Sequence, residues 1–563
     1  MAQTPLPPAG SAPPDHAQRR VAAIDIGTNS IHLVIVAIDP ALRSFTVLLA
    51  EKSTARLGER DPESGEICPQ AIERGFQALR HFRELAEGHG VEQIVTAATS
   101  AVREAPNGPQ FLEALREQLA LEVDLVSGIE EARLIYLGVL SSMAFGDTPH
   151  LILDIGGGST ELILADGHDA REFTSTRIGA VRLQREFMTQ DPLPSERRGF
   201  LEAYIQGAMD PAISEVKRKI KAFESPTLVA TSGTALAIAA LVAADEEIPP
   251  LRLQGYRISR SRLNELVARL VKMTPEQRRG LSAINERRAE IIVPGALILQ
   301  TAMAMLQVEE LVICERALRE GLIVDWMLRN DLLVNRFAFQ STIRRRTVLH
   351  LARNYGVDLA RSEQVASHAL SLYDQTRGLL HEDEGRGRQL LWAAALLHSC
   401  GKHVNVAAYH KHTWYLIRHG ELLGYSQAEH LMVAAIARYH RRSLPKKRHE
   451  SWQLIADRDQ RRRVHAMALL LRLAAALDRR PSPVLAWLKV QIQGEEGKTP
   501  TGFMVTLGAH PGGPGELPAD LSLERWSLAS CKPVVLEATG LEMDVKISST
   551  PIPDPARPFR EPA

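Results

Sequence analysis

The sequence predicts an α/β protein in which two related domains come first, an all-helical region follows and a small α+β domain comes last. Three observations support this prediction. A short motif rich in Asp and Gly occurs twice between apolar runs. Helical periodicity dominates from about residue 337 to 488, and apolar and polar residues alternate, as in strands, from 486 to about 549. At about 150 residues per domain, 563 residues suffice for three to four domains.

Composition excludes several classes of protein. With 45% hydrophobic and 24% charged residues, the chain is neither fibrous nor wholly disordered. Lys and Arg together number 67, as do Asp and Glu, and this balance argues against a dedicated nucleic-acid-binding protein. The four cysteines lie far apart, so we expect no disulfide framework or zinc ribbon, and we expect a reducing, cytoplasmic location.

Two further features concern membranes and chain ends. No apolar run reaches the roughly 18 residues needed to span a bilayer, and the longest is Thr234–Ala244, so we expect no membrane insertion. Residues 1–20 contain five prolines and no apolar stretch, and we interpret them as a disordered tail.

The repeated motif predicts the architecture of the first two domains. Its first copy runs from Asp25 to Ser30 and its second from Asp154 to Glu161, and both fit D-I-G-x-x-S. Apolar runs precede and follow each copy, which is typical of a strand, a tight turn and a second strand. Two copies about one domain length apart indicate two related domains that each begin with a hairpin.

Loops of this composition suit phosphate groups. Glycine lets the backbone approach an anion so that successive N–H groups point at its oxygens, and a carboxylate at the strand end can hold Mg²⁺ or its waters. One copy alone fits an ordinary glycine hairpin equally well, whereas the repeat favours a phosphate clamp between two domains. The candidate phosphate ligands are Asp25, Gly27, Thr28, Asn29, Ser30, Gly156, Gly157, Gly158 and Ser159.

Two segments between and beyond the loops offer further anion ligands. Arg103 follows an apolar strand and can form paired hydrogen bonds with phosphate oxygens, although by itself it is better explained as a surface arginine at a helix N-terminus. The predicted helix that starts at Ser232, Gly233 and Thr234 presents backbone N–H groups, which bind anions.

A pair of acids begins another predicted helix. Ser127 is a suitable N-cap, and Glu130 and Glu131 then lie in the first turn. Acids at this place complement the helix dipole, which explains them without catalysis. Alternatively, one carboxylate faces the cleft and takes a proton from an attacking water.

Taken in order, these motifs resemble the exopolyphosphatase/guanosine-pentaphosphate phosphatase family, within the actin/sugar-kinase/Hsp70 superfamily. The resemblance is strong over about residues 20–330 and looser beyond. It implies two actin-like (ribonuclease H-like) domains with a cleft between them. It also implies a homodimer that uses Mg²⁺ to remove the terminal phosphate from inorganic polyphosphate or from guanosine pentaphosphate.

The resemblance also assigns roles to residues. It implies that Glu131 is the catalytic base and Glu130 a structural neighbour, that Arg103 binds substrate, and that Asp154 and Glu161 hold Mg²⁺. Ser232, Gly233 and Thr234 become secondary substrate ligands. The segments 293–296 and 317–322 also match the family, and we interpret them as packing and cleft-closing elements. The implied reaction is direct in-line attack by water, and its rival uses Asp25 or Asp154 as a nucleophile.

The helical region resembles the HD metal-phosphohydrolase superfamily in its order of histidines, His368, His398, His412 and His440. That superfamily binds its metal through a His-Asp doublet, but here His398 is followed by Ser399. We therefore predict an HD-like domain without hydrolase activity. Clusters of basic residues, such as those at 446–448, are usually solvated helix faces, but they also suit guidance of a polyanion.

The predicted organisation is a disordered tail (1–20), actin-like domains (21–145 and 146–330), an HD-like domain (331–485), a small α+β domain (486–550) and a Pro-rich tail (551–563). The first functional hypothesis is an exopolyphosphatase, with guanosine-pentaphosphate phosphohydrolase as the alternative, because the motifs do not separate the two. An ATP-dependent kinase of the same superfamily is the third hypothesis, and a non-enzymatic Hsp70-like binding module is the fourth.

Overall fold

The computed structural model of the protein describes residues 19–333, 343–383, 385–481, 484–493, 500–510 and 519–548. The chain divides into two compact units, Met1–Arg346 and Thr347–Ala563, and each has its own apolar core. The Pro-rich tail (551–563), nearly all of the N-terminal tail and residues 511–518 lie outside the described residues.

A five-stranded sheet opens the first unit. Its elements are β1 (Arg19–Ile26), β2 (Ile31–Asp39), β3 (Ser44–Ser53), α1 (Pro69–Gly88), β4 (Gln93–Ala98), α2 (Ser100–Arg103), α3 (Gly108–Leu119) and β5 (Asp124–Leu125), followed by α4 (Gly128–Leu140). The strand order is β3-β2-β1-β4-β5. The first three strands form an antiparallel meander, β4 runs parallel to β1, and β5 runs parallel to β4.

A second sheet, of six strands, repeats this plan. Its elements are β6 (His150–Ile155), β7 (Thr160–Ala165), β8 (Ala170–Thr176), α5 (Ala180–Phe187), α6 (Ser195–Lys219), β9 (Thr227–Thr231), α7 (Ser232–Ala244), β10 (Arg257–Ser259), α8 (Arg260–Leu270), α9 (Pro275–Arg279), α10 (Glu286–Leu306), β11 (Glu310–Ile313) and α11 (Leu318–Arg329). The order is β10-β11-β9-β6-β7-β8. Again a three-stranded meander comes first and a parallel strand, β9, pairs with its first strand. The repeated motif therefore forms the turn of the first hairpin in both sheets.

Helix α10 is the one helix among the described residues that is long and apolar enough to cross a membrane by length and composition. However, 72% of its apolar window is buried within the protein. Its side chains contribute to the core that also contains residues of α6, α7 and α8. The apolar character of α10 is therefore that of a core helix.

The second unit is mainly helical and ends in a small sheet. Its elements are α12 (Ile343–Asn354, which begins just before the boundary), α13 (Leu359–Gln375), α14 (Arg386–Leu397), a 3₁₀ turn (Cys400–His403), α15 (Tyr409–His419), α16 (Gln427–Tyr439), α17 (Glu450–Gln453), α18 (Arg458–Leu477), β12 (Leu485–Gln493), β13 (Gly502–Ala509), α19 (Ser522–Ala529), α20 (Lys532–Thr539) and β14 (Glu542–Ile547). In the sheet, β13 lies between β12 and β14. Leu470 of α18, Phe503 of β13 and Leu528 of α19 belong to one apolar core, so the helices and the sheet pack together.

Candidate active site

A cavity of about 190 Å³ in the first unit is lined by both copies of the repeated motif. We call it the cleft cavity. The predicted site residues that line it are Asp25, Gly27, Thr28, Asn29, Ser30, Glu131, Asp154, Gly156, Gly157, Ser159, Ser232, Gly233 and Thr234. Three predicted site residues do not line it. Arg103 donates a hydrogen bond to Glu131, which lines the cavity. Gly158 lines a neighbouring pocket, and Glu161 is buried on β7.

The two glycine loops have the same local geometry. The backbone N–H of Gly27 donates to the carbonyl oxygen of Ser30 at 3.1 Å, and that of Gly156 donates to Ser159 at 2.9 Å. A Cβ added to Gly27 would lie 3.0 Å from the carbonyl oxygen of Ser30, and one added to Gly156 would lie 3.0 Å from that of Ser159. The first residue of each loop therefore favours glycine for the same reason, a close approach within its own turn.

Glu131 lies in the first turn of α4, where the sequence predicts the base. Ser127 caps this helix, because its hydroxyl accepts from the backbone N–H of Glu130 at 3.1 Å. Glu131 is only 8% exposed. Burial raises its pKa to about 8; the guanidinium of Arg103 opposes this rise, and the carboxylates of Asp25 and Asp154 add to it. The carboxyl group is thus poised near neutral pH, as a general base requires.

Glu130 and Glu131 have different hydrogen-bond partners, which distinguishes their roles. Arg103 Nη1 donates to Glu131 Oε2 at 3.3 Å and to the carbonyl oxygen of Val126 at 2.6 Å. Glu130 instead accepts from both Arg133 Nε and Arg133 Nη2, at 2.8 and 2.7 Å. These contacts lower the pKa of Glu130, so it stays ionised as the partner of an arginine.

Three further carboxyl groups surround Glu131. The pKa values of Asp25 and Asp154 are raised to about 7, mainly by burial, and the nearby carboxylate of Asp25 contributes to the rise for Asp154. Burial, with Glu131 and Asp154, also raises the pKa of Glu161 well above its usual range. Glu161 Oε1 accepts from Ser175 Oγ at 2.8 Å. Such a cluster of buried acids favours either protons or a cation among them.

The cleft also contains two arginines and a neutral histidine that were not identified from the sequence. His32, Arg288 and Arg319 line the cavity. Burial lowers the pKa of His32 to about 3 and that of Lys52 to about 8, and the two arginines contribute to both shifts. Arg288 Nη1 lies 3.5 Å from Thr234 Oγ1, and a Cβ on Gly233 would lie 2.3 Å from Arg288 Nη2. The cleft therefore has a cationic side that can receive phosphate oxygens.

The strand register explains the position of His32. In the first hairpin Asp25 lies opposite His32, and in the second hairpin Asp154 lies opposite Glu161. Comparison of the two motif copies could have found His32 as the counterpart of Glu161. Arg319 lies in the 317–322 segment that we assigned to packing and cleft closure, and the sequence around Arg288 has no recognisable signal.

The acidic residues are a suitable donor set for a hard cation. Asp25 Oδ1 is buried and has no hydrogen-bond partner among the described residues. No group of three His, Cys, Asp or Glu residues in the described ranges is arranged to hold a metal ion by itself. Mg²⁺ usually binds through one or two carboxylates together with waters and substrate phosphates, and the cleft fits this mode rather than an all-protein cage.

Comparison with known sequences agrees with this chemistry. Residues 34–330 match the Ppx/GppA phosphatase family, and residues 343–503 match Ppx/GppA phosphatase, domain III. The chain is 30% identical over 470 residues to a guanosine-5'-triphosphate,3'-diphosphate pyrophosphatase from Vibrio vulnificus (strain YJ016). This alignment covers 82% of the present chain and 88% of that relative.

Solved structures are similar to just over half of the chain. An exopolyphosphatase from Cytophaga hutchinsonii is 27% identical, with a TM-score of 0.51, and covers 56% of this chain and 100% of its own. The Ppx/GppA family member from Aquifex aeolicus is 28% identical, with a TM-score of 0.48, and covers 56% of this chain and 99% of its own. The family matches extend over more than half of the sequence, and they confirm the family that the motifs predicted. The chain belongs to the Ppx/GppA phosphatase family.

Proposed function

We propose that this protein hydrolyses the terminal phosphoanhydride bond of guanosine pentaphosphate. The observation that supports hydrolysis is the buried Glu131, poised near neutral pH in a cavity lined by two glycine loops and by arginines. The relative from Vibrio vulnificus, named as a guanosine-5'-triphosphate,3'-diphosphate pyrophosphatase, matches over both units of the chain and favours the nucleotide.

Inorganic polyphosphate is the second candidate substrate. We ranked it first from the sequence, and the similarity to the exopolyphosphatase from Cytophaga hutchinsonii supports it. Both substrates end in a phosphoanhydride, so the same catalytic residues serve either one. What differs is the group beyond the terminal phosphates.

The reaction needs no phosphorylated enzyme. A water oxygen attacks the terminal phosphorus, the bridging P–O bond breaks, and the shortened phosphate chain leaves with the bond's electron pair. Glu131 accepts the proton of the attacking water. The glycine-loop N–H groups and the guanidinium groups of the cleft stabilise the charge on the phosphoryl oxygens, which is the main contribution in phosphoryl transfer.

A Mg²⁺ ion suits the acidic side of the cleft, and we propose Mg²⁺ dependence. Asp154 and Glu161 are the ligands that the family resemblance implies, and the unpartnered Asp25 Oδ1 is a further donor. When bound, the ion would neutralise these carboxylates and the substrate's phosphate oxygens. Loss of this positive charge would leave Glu131 with the raised pKa described above.

We also propose that the second unit is an HD-like domain that does not hydrolyse phosphate. His398 Nδ1 bonds the carbonyl oxygen of Ala395 at 2.7 Å, and the next residue is Ser399. Asp478 is bound by Arg361 through two contacts of 3.1 Å, so its charge is already neutralised. A homodimer and a cytoplasmic location remain predictions of the sequence analysis.

The test compares phosphate release from guanosine pentaphosphate and from long-chain polyphosphate, with Mg²⁺ and at one salt concentration. Wild type, Glu131→Gln and the matched control Glu130→Gln are assayed together. We expect the nucleotide to be preferred, Glu131→Gln to lose about 10²- to 10⁴-fold in rate, and Glu130→Gln to retain most activity. Preference for polyphosphate would support the second candidate, and normal turnover by Glu131→Gln would refute the mechanism.

A further inference from the structure

A second pocket, of about 600 Å³, lies beside the cleft cavity. We call it the outer pocket. Its lining includes Arg60 from the loop after β3, and Arg182 and Arg185 from α5. These elements belong to the two different sheet domains of the first unit. A cavity of this size with three guanidinium groups has the composition of an anion-binding site.

The outer pocket and the cleft cavity share a thin wall. Thr28 and Ser100 line both, and their hydroxyl oxygens are 3.1 Å apart. Gly158 lines the outer pocket, whereas its neighbours Gly157 and Ser159 line the cleft cavity. A Cβ on Gly158 would lie 2.5 Å from Ser100 Oγ, so the second glycine loop is pressed against this wall. The outer pocket is therefore directly adjacent to the cleft cavity.

The arginines are held in place mainly by carbonyl groups. Arg60 donates to the carbonyl oxygens of Leu57 and Ala101, Arg185 donates to that of Gly58, and Arg182 donates to that of Gly158. Carbonyl partners orient a guanidinium without neutralising it. Arg185 Nη2 also contacts Glu186 Oε1 at 3.1 Å and Arg182 pairs with Glu104, so Arg60 is the arginine of this pocket whose described hydrogen bonds all go to carbonyl groups.

Both acids in the lining of the outer pocket already have hydrogen-bond partners. Glu104 pairs with Arg182, and Asp61 Oδ1 accepts from the N–H groups of Glu63 and Ser64 within its own loop. Burial lowers the pKa of Arg60, and Arg185 and Arg182 lower it further against the opposing effect of Glu104. Arg60 thus lies beside two further guanidinium groups and has no acidic partner among the described contacts, which favours an anion in this cavity.

We propose that the outer pocket is a second phosphate-binding site, in which Arg60 and Arg185 bind phosphate groups beside the reacting one. The choice of phosphate rests on the proposed function, whereas the existence of an anion site rests on the pocket itself. The bound phosphate belongs either to the distal part of the substrate or to free orthophosphate. Both have the same chemistry, and they differ in their effect on kinetics.

Binding is measured without turnover, so that this proposal can fail separately from the catalytic one. The probe is methylenediphosphonate, a diphosphate analogue with a non-hydrolysable bridge. Phenylglyoxal modification of the full chain, read by mass spectrometry, should show that the probe protects Arg60 and Arg185. Arg279, which is exposed and pairs with Glu276, serves as the unprotected control. Equal modification of Arg60 and Arg185 with and without the probe would overturn the proposal.

Calorimetric titration of variants completes the test. We expect wild type and Arg279→Gln to bind one more probe molecule per chain than Arg185→Gln. Because the Arg185 side chain is 43% exposed, this variant should fold normally, and Arg60→Gln is the second variant. Identical stoichiometry in all variants would contradict the proposal. A several-fold higher KM for guanosine pentaphosphate or for long-chain polyphosphate in Arg185→Gln would assign the site to distal substrate phosphates. Lost inhibition by orthophosphate would instead assign it to free phosphate.

Discussion

Gly138 of α4 and Gly321 of α11 lie where the two helices cross in near backbone contact. A Cβ on Gly138 would lie 1.9 Å from the carbonyl oxygen of Ala317, and a Cβ on Gly321 would lie 1.8 Å from that of Leu134. Such distances are far below any real Cβ contact, so only glycine fits at either position. The crossing matters for catalysis because α4 also carries Glu131 in its first turn.

We predict that Gly321→Ala destabilises the protein by about 3 kcal/mol or more, because the helices must separate and overpacked cores lose about this much. Urea unfolding measures the change. The control is Gly207→Ala in α6, where a Cβ would meet nothing within 4 Å. Gly207→Ala should stabilise the protein by up to about 1 kcal/mol, because alanine has a higher helix propensity than glycine. If Gly321→Ala and Gly207→Ala changed the free energy of unfolding equally, the close contact between α4 and α11 would be contradicted.

Arg133 is predicted to position Glu131 without touching substrate. Its guanidinium links Glu130 on α4 to Asp325 on α11, with Nη2 2.7 Å from an oxygen of each. Arg133→Gln should lower kcat by about 10- to 100-fold and leave KM nearly unchanged, because a shift of the base affects chemistry more than binding. Arg329→Gln is the matched control, since Arg329 binds the same Asp325 from a largely exposed position. A KM effect as large as the kcat effect would argue against positioning.

Arg103 is predicted to set the pH range of activity. Its guanidinium opposes the rise in the pKa of Glu131, so Arg103→Gln should raise that pKa further. Because a base acts when deprotonated, the rising limb of kcat/KM should move to higher pH in the variant. We also expect kcat/KM to fall by about 100-fold from lost charge stabilisation. The control is Arg116→Gln, an exposed arginine paired with Glu113, whose profile should match wild type.

If the rising limb of the pH profile of kcat/KM stays at the same pH in Arg103→Gln, a group other than Glu131 controls that profile. Assays at constant ionic strength are needed, since screening alters interactions between charges near the surface.

The buried aspartates are predicted to weaken the fold at neutral pH. The pKa of Asp25 is about 7 in the folded protein against an ordinary 3.8, so the folded state holds this proton more tightly than the unfolded state. The contribution of Asp25 to the free energy of unfolding is therefore greatest below about pH 4 and declines as pH rises to about 7. Asp25→Asn should exceed wild type in stability at pH 8 by up to about 4 kcal/mol, and the gain should shrink toward pH 4.

Urea unfolding of both proteins at several pH values, without divalent ions, measures this difference. Asp210→Asn on the exposed face of α6 is the control and should show no such trend. A pH-independent difference between Asp25→Asn and wild type would exclude the buried carboxylate as its cause. Added Mg²⁺ should stabilise wild type at pH 8 more than Asp25→Asn if the ion binds among these acids.

The sequence by itself determined the parts of this protein that depend on local chemistry. Glycines at 27 and 156, between apolar runs, indicate tight turns, because the close approach within each loop involves only its own residues. The capping serine and two acids at the start of α4 are equally local. The order of these motifs sufficed to identify the family, although it could not separate two substrates that share a terminal phosphoanhydride.

Only the tertiary structure decided which distant residues meet and how burial alters them. His32, Arg288 and Arg319 are far apart in the chain and form one side of the cleft because three different elements pack there. The predicted phosphate ligand Gly158 lines the outer pocket, because the turn directs it away from its neighbours. The raised pKa of Glu131 has the same origin. It depends on desolvation and on charges from other segments, which come together only in the folded protein.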